Sequence, residues 1–267
     1  MQYFVKKFIY SKFNSLIKKV NFFDLNSTNS KNEKIKVYYR LSNSKERKYK
    51  KKLPNATKTH CLKNCIREFG VKNITVIADN INNQTRRFLK NTGVRYIEVN
   101  YGSGARTFRK ALNLAITENN KDSYIYLLED DFLHLSGSAK ILKEGIEKFG
   151  SYITLYDHPD KYINASEGGN PLIKENSELT RLSKTDSVHW KSTDSTVMSF
   201  ATLVSRLESD YELLMKYSAN EKGKTRSNGF FTEIKTMKKI NVYSCLPGYS
   251  THCEIKWLTP FVNWEKV

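Results

Sequence analysis

Cysteine and long apolar runs are both scarce in this sequence. The 267 residues include four cysteines, Cys61, Cys65, Cys245 and Cys253, and no CxxC pair. Such sparse cysteines exclude a disulfide scaffold and argue against a zinc site, so we predict reduced thiols in a cytoplasmic protein. No stretch approaches the ~20 apolar residues that a membrane span needs, and the N-terminus lacks the apolar core of a signal peptide.

Acidic residues are also scarce, because 27 acidic residues stand against 45 basic ones, for a formal charge of +18. This charge predicts attraction to polyanions but says little about the fold. Residues 1–25 predict a basic amphipathic helix, of which residues 1–20 could lie peripherally on an anionic membrane or pack on protein. The stretch KERKYKKK at 45–52 is a second basic run.

The first half of the chain alternates predicted strands and helices. Strands are expected near 34–41, 73–78, 95–99 and 124–128, with helices at 57–69, 84–91 and 105–118 between them. This order predicts an α/β fold with a mostly parallel central sheet, flanking helices and right-handed crossovers. We expect one domain over 33–267, with a Rossmann-like nucleotide-binding half at 33–135 and an α+β acceptor half at 136–267. The second half predicts a helix at 137–149, a strand near 195–200 and a helix at 201–217.

Three consecutive carboxylates, Glu129, Asp130 and Asp131, end the apolar strand YIYLL. The carboxyl ends of parallel strands are where open α/β sheets bind ligands. Adjacent acids there suit a divalent cation, and oxygen ligands favour Mg²⁺ or Mn²⁺ over zinc. The other strand ends carry Arg40 and Ser42, Asp79 and Asn80, and the Gly-Ser-Gly turn of Gly102 and Gly104.

These motifs together resemble a known enzyme family. ADN at 78–80, YGSGARTFRKALNLA at 101–115 and LLEDD at 127–131 are similar to a glycosyltransferase of the glycosyltransferase-A fold, family-2-like and close to the domain encoded by large chlorella viruses. LYDHPDKY, HWKSTDSTVMSFA and PGYSTHCE extend the resemblance more weakly. The resemblance implies a metal-dependent transfer of sugar from a nucleoside diphosphate sugar, with uridine as the expected nucleoside, to a glycan, glycoprotein or glycolipid. A viral source would place it in the host cytoplasm.

The resemblance also implies roles for single residues. Asp131 would bind the metal, His252 would return to the metal or diphosphate, and Glu129 is a further metal ligand candidate, although which acid bonds the metal stays open. Asp79 would contact the nucleoside, and Arg40 with Ser42 would flank the base. The remaining donor-binding candidates are Asn80, Gly102, Gly104, Arg106, Glu129 and Asp130.

An inverting reaction also needs a carboxylate that takes a proton from the acceptor hydroxyl. Glu233, Asp157 and Asp194 are nearly equal candidates for this base. Glu233 lies 19 residues before His252 but lacks the paired Glu-Asp usual in the family, and Asp157 could instead build the acceptor wall. A retaining enzyme would need none of the three in this role.

Two other functions compete with sugar transfer. A nucleotidyltransferase acting on sugar phosphates would share the sheet and the acids, but its glycine-rich, basic signature after the first strand is not matched, because RLSNSKERKYKKKLP contains no glycine. A non-enzymatic nucleic-acid-binding protein would explain KERKYKKK, yet the three acids would repel phosphate unless a metal intervened. Nucleic acid is therefore the less favoured partner.

Overall fold

A sheet of nine strands forms the centre of the protein. The computed structural model describes residues 35–43, 51–173, 177–218 and 227–267, so the predicted helix at 1–25 lies outside the described residues. The first four strands stand in the order β3-β2-β1-β4 and are all parallel. Their bounds are β1 Ile35–Ser42, β2 Ile74–Asp79, β3 Arg95–Val99 and β4 Tyr124–Glu129.

The rest of the sheet is mixed. The order continues β4-β9-β6-β10-β8-β7, with β9 antiparallel to both neighbours and β6 parallel to β10. The bounds are β6 Tyr152–Thr154, β7 Leu182–Lys184, β8 His189–Thr193, β9 Phe200–Leu203 and β10 Val242–Leu246. A separate pair joins β5, Phe132–His134, to β11, Ser250–His252, in antiparallel register.

Helices cover both faces of the sheet, because the central strands bury apolar side chains on both sides. On one face α1 (Lys58–Phe69) and α4 (Ser138–Phe149) pack with strand residues such as Tyr39 and Leu128. On the other face Ile77 and Leu127 pack with α3 (Gly104–Thr117), α5 (Val204–Ser209), α6 (Tyr211–Tyr217) and α7 (Ser227–Lys238). Helix α2 (Asn83–Thr92) contributes Leu89 to the first face. The protein is thus a three-layer α/β/α structure.

The predicted fold class is confirmed: a large sheet, parallel through its first half, carries flanking helices, and antiparallel strands appear in the second half. The predicted helix at 201–217 is wrong at its start, because Phe200–Leu203 forms β9 and pairs with β4. The remainder divides into α5 and α6 around Asp210. Within the described ranges, no helix combines the length and the apolar character needed to cross a membrane.

Candidate functional site

Glu129, Asp130 and Asp131, at the end of β4, form what we call the acidic turn. This turn lies beside the pair of strands β5 and β11. Asp131 directly precedes β5, and the antiparallel register sets His252 opposite Phe132. The Cys253 N–H donates to the Asp131 carbonyl at 2.9 Å, which closes this short ladder. Asp131 and His252 are 121 positions apart in the chain, and they meet at the carboxyl end of β4 because β11 pairs with β5.

Asp131 contacts two potential cations. Its Oδ2 lies 3.0 Å from His252 Nε2 and 3.3 Å from Lys52 Nζ. Burial by itself would raise the pKa of the Asp131 carboxyl, but His252 and Lys52 outweigh it and hold the pKa below its ordinary value. Asp131 is therefore an ionised carboxylate at neutral pH. The structure brings together the two residues that were predicted to share a metal.

Asp130 faces a different lysine. Its Oδ2 accepts from Lys58 Nζ at 2.7 Å and from the Ser42 backbone N–H at 2.9 Å. Burial raises the pKa of Asp130, and the charge of Asp131 adds to that rise against the opposing effect of Lys58. Lys58 is the first residue of α1, so the positive end of the helix macrodipole lies near the same carboxylate.

Glu129 is held by Arg40, on the neighbouring strand β1, and by Ser199. Its Oε1 lies 3.3 Å from Arg40 Nη2, and its Oε2 accepts from the Ser199 hydroxyl at 3.3 Å. The same Arg40 nitrogen donates to the Met198 carbonyl at 2.7 Å, and the guanidinium lies over the Phe108 ring. Arg40 is buried, so this side chain is fixed between β4 and the loop before β9.

Asp79 organises the loop that precedes α3. Its Oδ1 accepts the backbone N–H groups of Tyr101 at 2.7 Å and Gly102 at 3.2 Å, together with the Asn80 amide at 3.0 Å. Gly102 has a φ of +57°, a conformation that L side chains rarely adopt. The Ser103 hydroxyl then caps α3 by accepting from the Arg106 N–H. Asp79 is buried and shapes this loop, while Gly104 and Arg106 are exposed.

The fold-implied Mg²⁺ or Mn²⁺ can be tested against these contacts. Each of the three carboxylates already faces a cationic side chain of the protein, and His252 is turned toward Asp131. In the ranges that the structure describes, no group of three or more His, Cys, Asp or Glu side chains is arranged to hold a metal ion. The residues as placed do not fit a divalent ion without displacing Lys52 and Lys58.

The three candidate bases each lie beside a lysine. Glu233 Oε2 is 2.8 Å from Lys216 Nζ and also accepts from the Tyr217 hydroxyl, between α6 and α7. These two donors lower the pKa of Glu233. Asp194 is paired with Lys235. The structure therefore places these carboxylates in different parts of the molecule and pairs each of them with a lysine.

Asp157 belongs to a buried polar cluster formed by β8 and the segment after β6. Its Oδ1 lies 2.7 Å from Lys191 Nζ, and the Tyr162 hydroxyl donates to both of its oxygens at 2.8 and 2.9 Å. Nearby, Lys161 Nζ donates to Ser195 Oγ at 2.7 Å and lies 3.5 Å from Glu178 Oε1. The Tyr162 side chain is partly exposed, and we name the four buried residues, Asp157, Lys161, Glu178 and Lys191, the sealed cluster.

Sequence analysis overlooked Lys52 and Lys58. The basic run that ends at Lys52 predicts only a patch of charge, and Lys58 lies outside that run, whereas the structure places both lysines against the acids at the end of β4. Their positions in the chain could have identified them, because both follow the first strand and Lys58 is the first residue of the next helix. Because β1 ends at the carboxyl edge of the sheet, Lys52 and Lys58, which follow it in the chain, can reach the neighbouring strand end.

No protein-family model and no curated protein match this sequence. Among solved structures, the chain is similar to one described as a glucose-1-phosphate thymidylyltransferase of Bacillus anthracis, at 11% identity over 82% of this chain and 89% of that one, with a TM-score of 0.48. A CMP:2-keto-3-deoxy-manno-octonic acid synthetase complexed with CTP matches at 14% identity over 80% and 92%, with a TM-score of 0.46. A 4-diphosphocytidyl-2C-methyl-D-erythritol synthase of Anaerococcus prevotii matches at 13% over 79% and 86%, also at 0.46.

These names correct the prediction of sugar transfer. All three belong to enzymes named for nucleotidyl products or transfer, and none is named a glycosyltransferase. The comparisons therefore contradict the glycosyltransferase interpretation and correspond to its first alternative, a nucleotidyltransferase. At 11–14% identity and TM-scores below 0.5, the likeness is one of fold alone.

Proposed function

We propose that this protein is a nucleotidyltransferase that joins a nucleoside monophosphate, taken from a nucleoside triphosphate, to a sugar phosphate. The observation that carries the proposal is the convergence of Lys52 and Lys58, from the segment after β1, on the carboxylates of Asp130 and Asp131. Fixed cations at the carboxyl edge of parallel strands suit a ligand rich in phosphate. Sugar transfer had assigned these lysines no role.

The reaction needs positive charge more than it needs a base. An oxygen of the sugar phosphate attacks the α-phosphorus, the bond from that phosphorus to the bridging oxygen breaks, and pyrophosphate leaves. Charge that develops on the transferred phosphoryl group and on the leaving group is stabilised by positioned cations. Lys52 and Lys58, 16% and 27% exposed, can reach such a ligand while their backbones stay fixed.

A phosphate nucleophile also agrees with the state of the three candidate bases. A phosphate monoester is already ionised near neutral pH, so its attack requires no proton acceptor. Glu233, Asp157 and Asp194 are each paired with a lysine, and Lys216 with Tyr217 lowers the pKa of Glu233, which makes that carboxylate a weaker base. An acceptor hydroxyl would require one of them to be released first.

The proposal also assigns the neighbouring loop. The N-terminus of α3, opened by Gly104 and capped by Ser103, would bind phosphate oxygens through its backbone N–H groups. Exposed Arg106 lies in the first turn of this helix and could add a side-chain contact. Asp79 would act through the loop it holds, and Ser42 would border the nucleotide beside Asp130.

Pyrophosphate release tests the proposal directly. The full chain would be incubated with CTP, UTP, dTTP, ATP or GTP and a panel of sugar 1-phosphates, with and without Mg²⁺. We expect pyrophosphate only when a triphosphate and a sugar phosphate are both present, and a nucleoside diphosphate sugar as the second product by ³¹P NMR. We expect Lys58→Met to lower the rate by about a hundredfold.

Lys63→Met is the matched control, because Lys63 is exposed on the same helix. It should retain the wild-type rate. Turnover of nucleoside diphosphate sugars without pyrophosphate chemistry, or no reaction with any triphosphate in the panel, would refute the proposed function.

A further inference from the structure

The three carboxylates at the end of β4 are matched by an equal number of permanent cations. Glu129, Asp130 and Asp131 contribute three negative charges, and the side chains facing them are Arg40, Lys58 and Lys52 respectively. The acids therefore present little net negative charge to an incoming ion. A divalent cation would have to displace ammonium groups that are already within 2.7 and 3.3 Å of its would-be ligands.

Lys52 is held in place through its backbone. Leu53 N–H donates to the Cys253 carbonyl at 3.0 Å, and Ile255 N–H donates to the Lys51 carbonyl at 2.8 Å. These bonds and the bridge from Lys52 to Glu254 fasten the segment to the residues that follow His252. Lys52 and His252 thus approach Asp131 from two segments of the chain that are joined by backbone hydrogen bonds.

Lys58 is held by helix geometry. Thr57 caps α1, and its hydroxyl accepts the His60 N–H at 3.1 Å. The base of the Lys58 side chain is consequently fixed in the first helical turn, with its Nζ 2.7 Å from Asp130 Oδ2. Only the flexible end of each lysine needs to adjust when a ligand enters.

An ammonium group can perform the bridging task that a metal performs. Each Nζ carries three N–H donors. One donor can stay on the carboxylate while another binds a phosphate oxygen, so the cation links protein and ligand as Mg²⁺ does between carboxylates and phosphates. A lysine placed in this way also avoids the cost of dehydrating a small divalent ion.

We propose that Lys52 and Lys58 take the place of a divalent cation in this site, so that the nucleoside triphosphate binds, and its pyrophosphate leaves, without a protein-bound metal. This inference rests on the proposed nucleotidyl transfer for the identity of the ligand. It departs from the expected Mg²⁺ or Mn²⁺ at Asp131, Glu129 and His252. Its central statement, that lysines rather than a metal neutralise the acids, can be tested on the protein alone.

The first measurement titrates Mn²⁺ alone into the full chain and follows free Mn²⁺ by electron paramagnetic resonance. We expect the double variant Lys52→Met/Lys58→Met to bind Mn²⁺ at least ~10-fold more tightly than wild type, because removing two ammonium groups leaves carboxylates uncompensated. The matched control Lys51→Met/Lys63→Met removes two exposed lysines from the same segments and should behave as wild type. If thermal melting shows that the double variant is unfolded, Lys58→Met alone is compared with Lys63→Met.

The second measurement follows the thermal shift that CTP, UTP, dTTP, ATP and GTP cause, in EDTA and in Mn²⁺. We expect at least one triphosphate to stabilise wild type equally under both conditions, and to lose that effect in Lys52→Met/Lys58→Met. The inference is overturned if wild type binds Mn²⁺ as tightly as the double variant, or if EDTA abolishes the shift while Mn²⁺ restores it. In the latter case the proposed function stands, whereas failure of every triphosphate under both conditions would overturn it as well.

Discussion

Lysine and carboxylate pairs occur in two regions of this protein, and they differ in their access to solvent. At the acidic turn, the pair of Lys52 and Asp131 is 16% and 18% exposed, and that of Lys58 and Asp130 is 27% and 15% exposed. In the sealed cluster, Lys191 with Asp157 is 3% exposed at both side chains. The same chemistry thus appears once among partly exposed side chains and once among buried ones.

The difference shows how burial decides what an ion pair does. A partly exposed lysine can turn from its carboxylate to a phosphate oxygen at small cost, because water compensates both groups during the exchange. A fully buried pair is locked, since either charge left alone in the interior is strongly destabilising. We therefore interpret the acidic turn as a binding site and the sealed cluster as a brace between β8 and the segment after β6.

The largest expected effect comes from breaking the sealed cluster. Lys191→Met should lower the free energy of unfolding by about 3–5 kcal/mol, because the Asp157 carboxylate stays buried without its ammonium partner. Urea denaturation of the full chain measures the change. The double variant Asp157→Asn/Lys191→Met should be less destabilised than Lys191→Met, because no charge is then left unpaired. A cost no greater than that of Lys58→Met would remove the distinction between the two regions.

A second test measures stability against pH and concerns His134, a buried residue near the acidic turn. His134 lies three residues after Asp131 but is buried, with one ring nitrogen 3.1 Å from the Tyr126 hydroxyl. Burial, helped by the charge of Arg67, lowers the pKa of His134 from 6.5 to about 3. The folded state therefore resists protonation, so its contribution to stability is complete above pH 6.5 and is lost as the pH falls towards 3.

We expect this loss to approach about 1.4 kcal/mol per pH unit for one proton. The variant His134→Gln keeps a polar partner for Tyr126 but does not titrate, so its stability should fall less steeply between pH 6.5 and 5. Urea unfolding of both proteins at several pH values gives the two slopes, and the background of carboxylates is the same in each. Equal slopes would show that the fold does not protect His134 from protonation.

The smallest expected effect is on stability at the acidic turn. Lys58→Met should change the free energy of unfolding by about 1 kcal/mol or less. The Lys58 and Asp130 side chains are 27% and 15% exposed, so water can replace the ammonium group beside the carboxylate. The same variant should nevertheless lose nucleotide binding. Thermal melting with and without triphosphate measures both quantities on one sample. A loss of several kcal/mol without ligand would make Lys58 a structural residue rather than a binding one.

The sequence predicted the first half of the fold more closely than the second. Its strands are bounded by clear turn residues and separated by amphipathic helices, so β1 to β4 and α1 to α3 lie within a residue or two of their expected positions. The segment after Phe200 was misassigned because its β strand forms through pairing with distant strands, chiefly β4. Local periodicity cannot report a contact between residues 70 or more positions apart.

The candidate site shows the same division. The acids at the end of β4 were found because an apolar strand ending in three carboxylates is conspicuous. The lysines that face them were missed, and the three base candidates were chosen without knowledge of Lys216, Lys191 and Lys235. Charge partners far apart in the chain leave no mark on local composition.

The sequence by itself determined the strand and helix order, the acidic strand end and the excess of positive charge, because these follow from local pattern and composition. Only the tertiary structure decided which positive charges meet which acids. The pairing of β5 with β11 brings His252 to Asp131. The backbone bonds of Lys51 and Leu53 to the residues after His252, and the start of α1, bring Lys52 and Lys58 to the same place. Coulomb interactions depend on distance in space, and that distance is set by the packed sheet rather than by position along the chain.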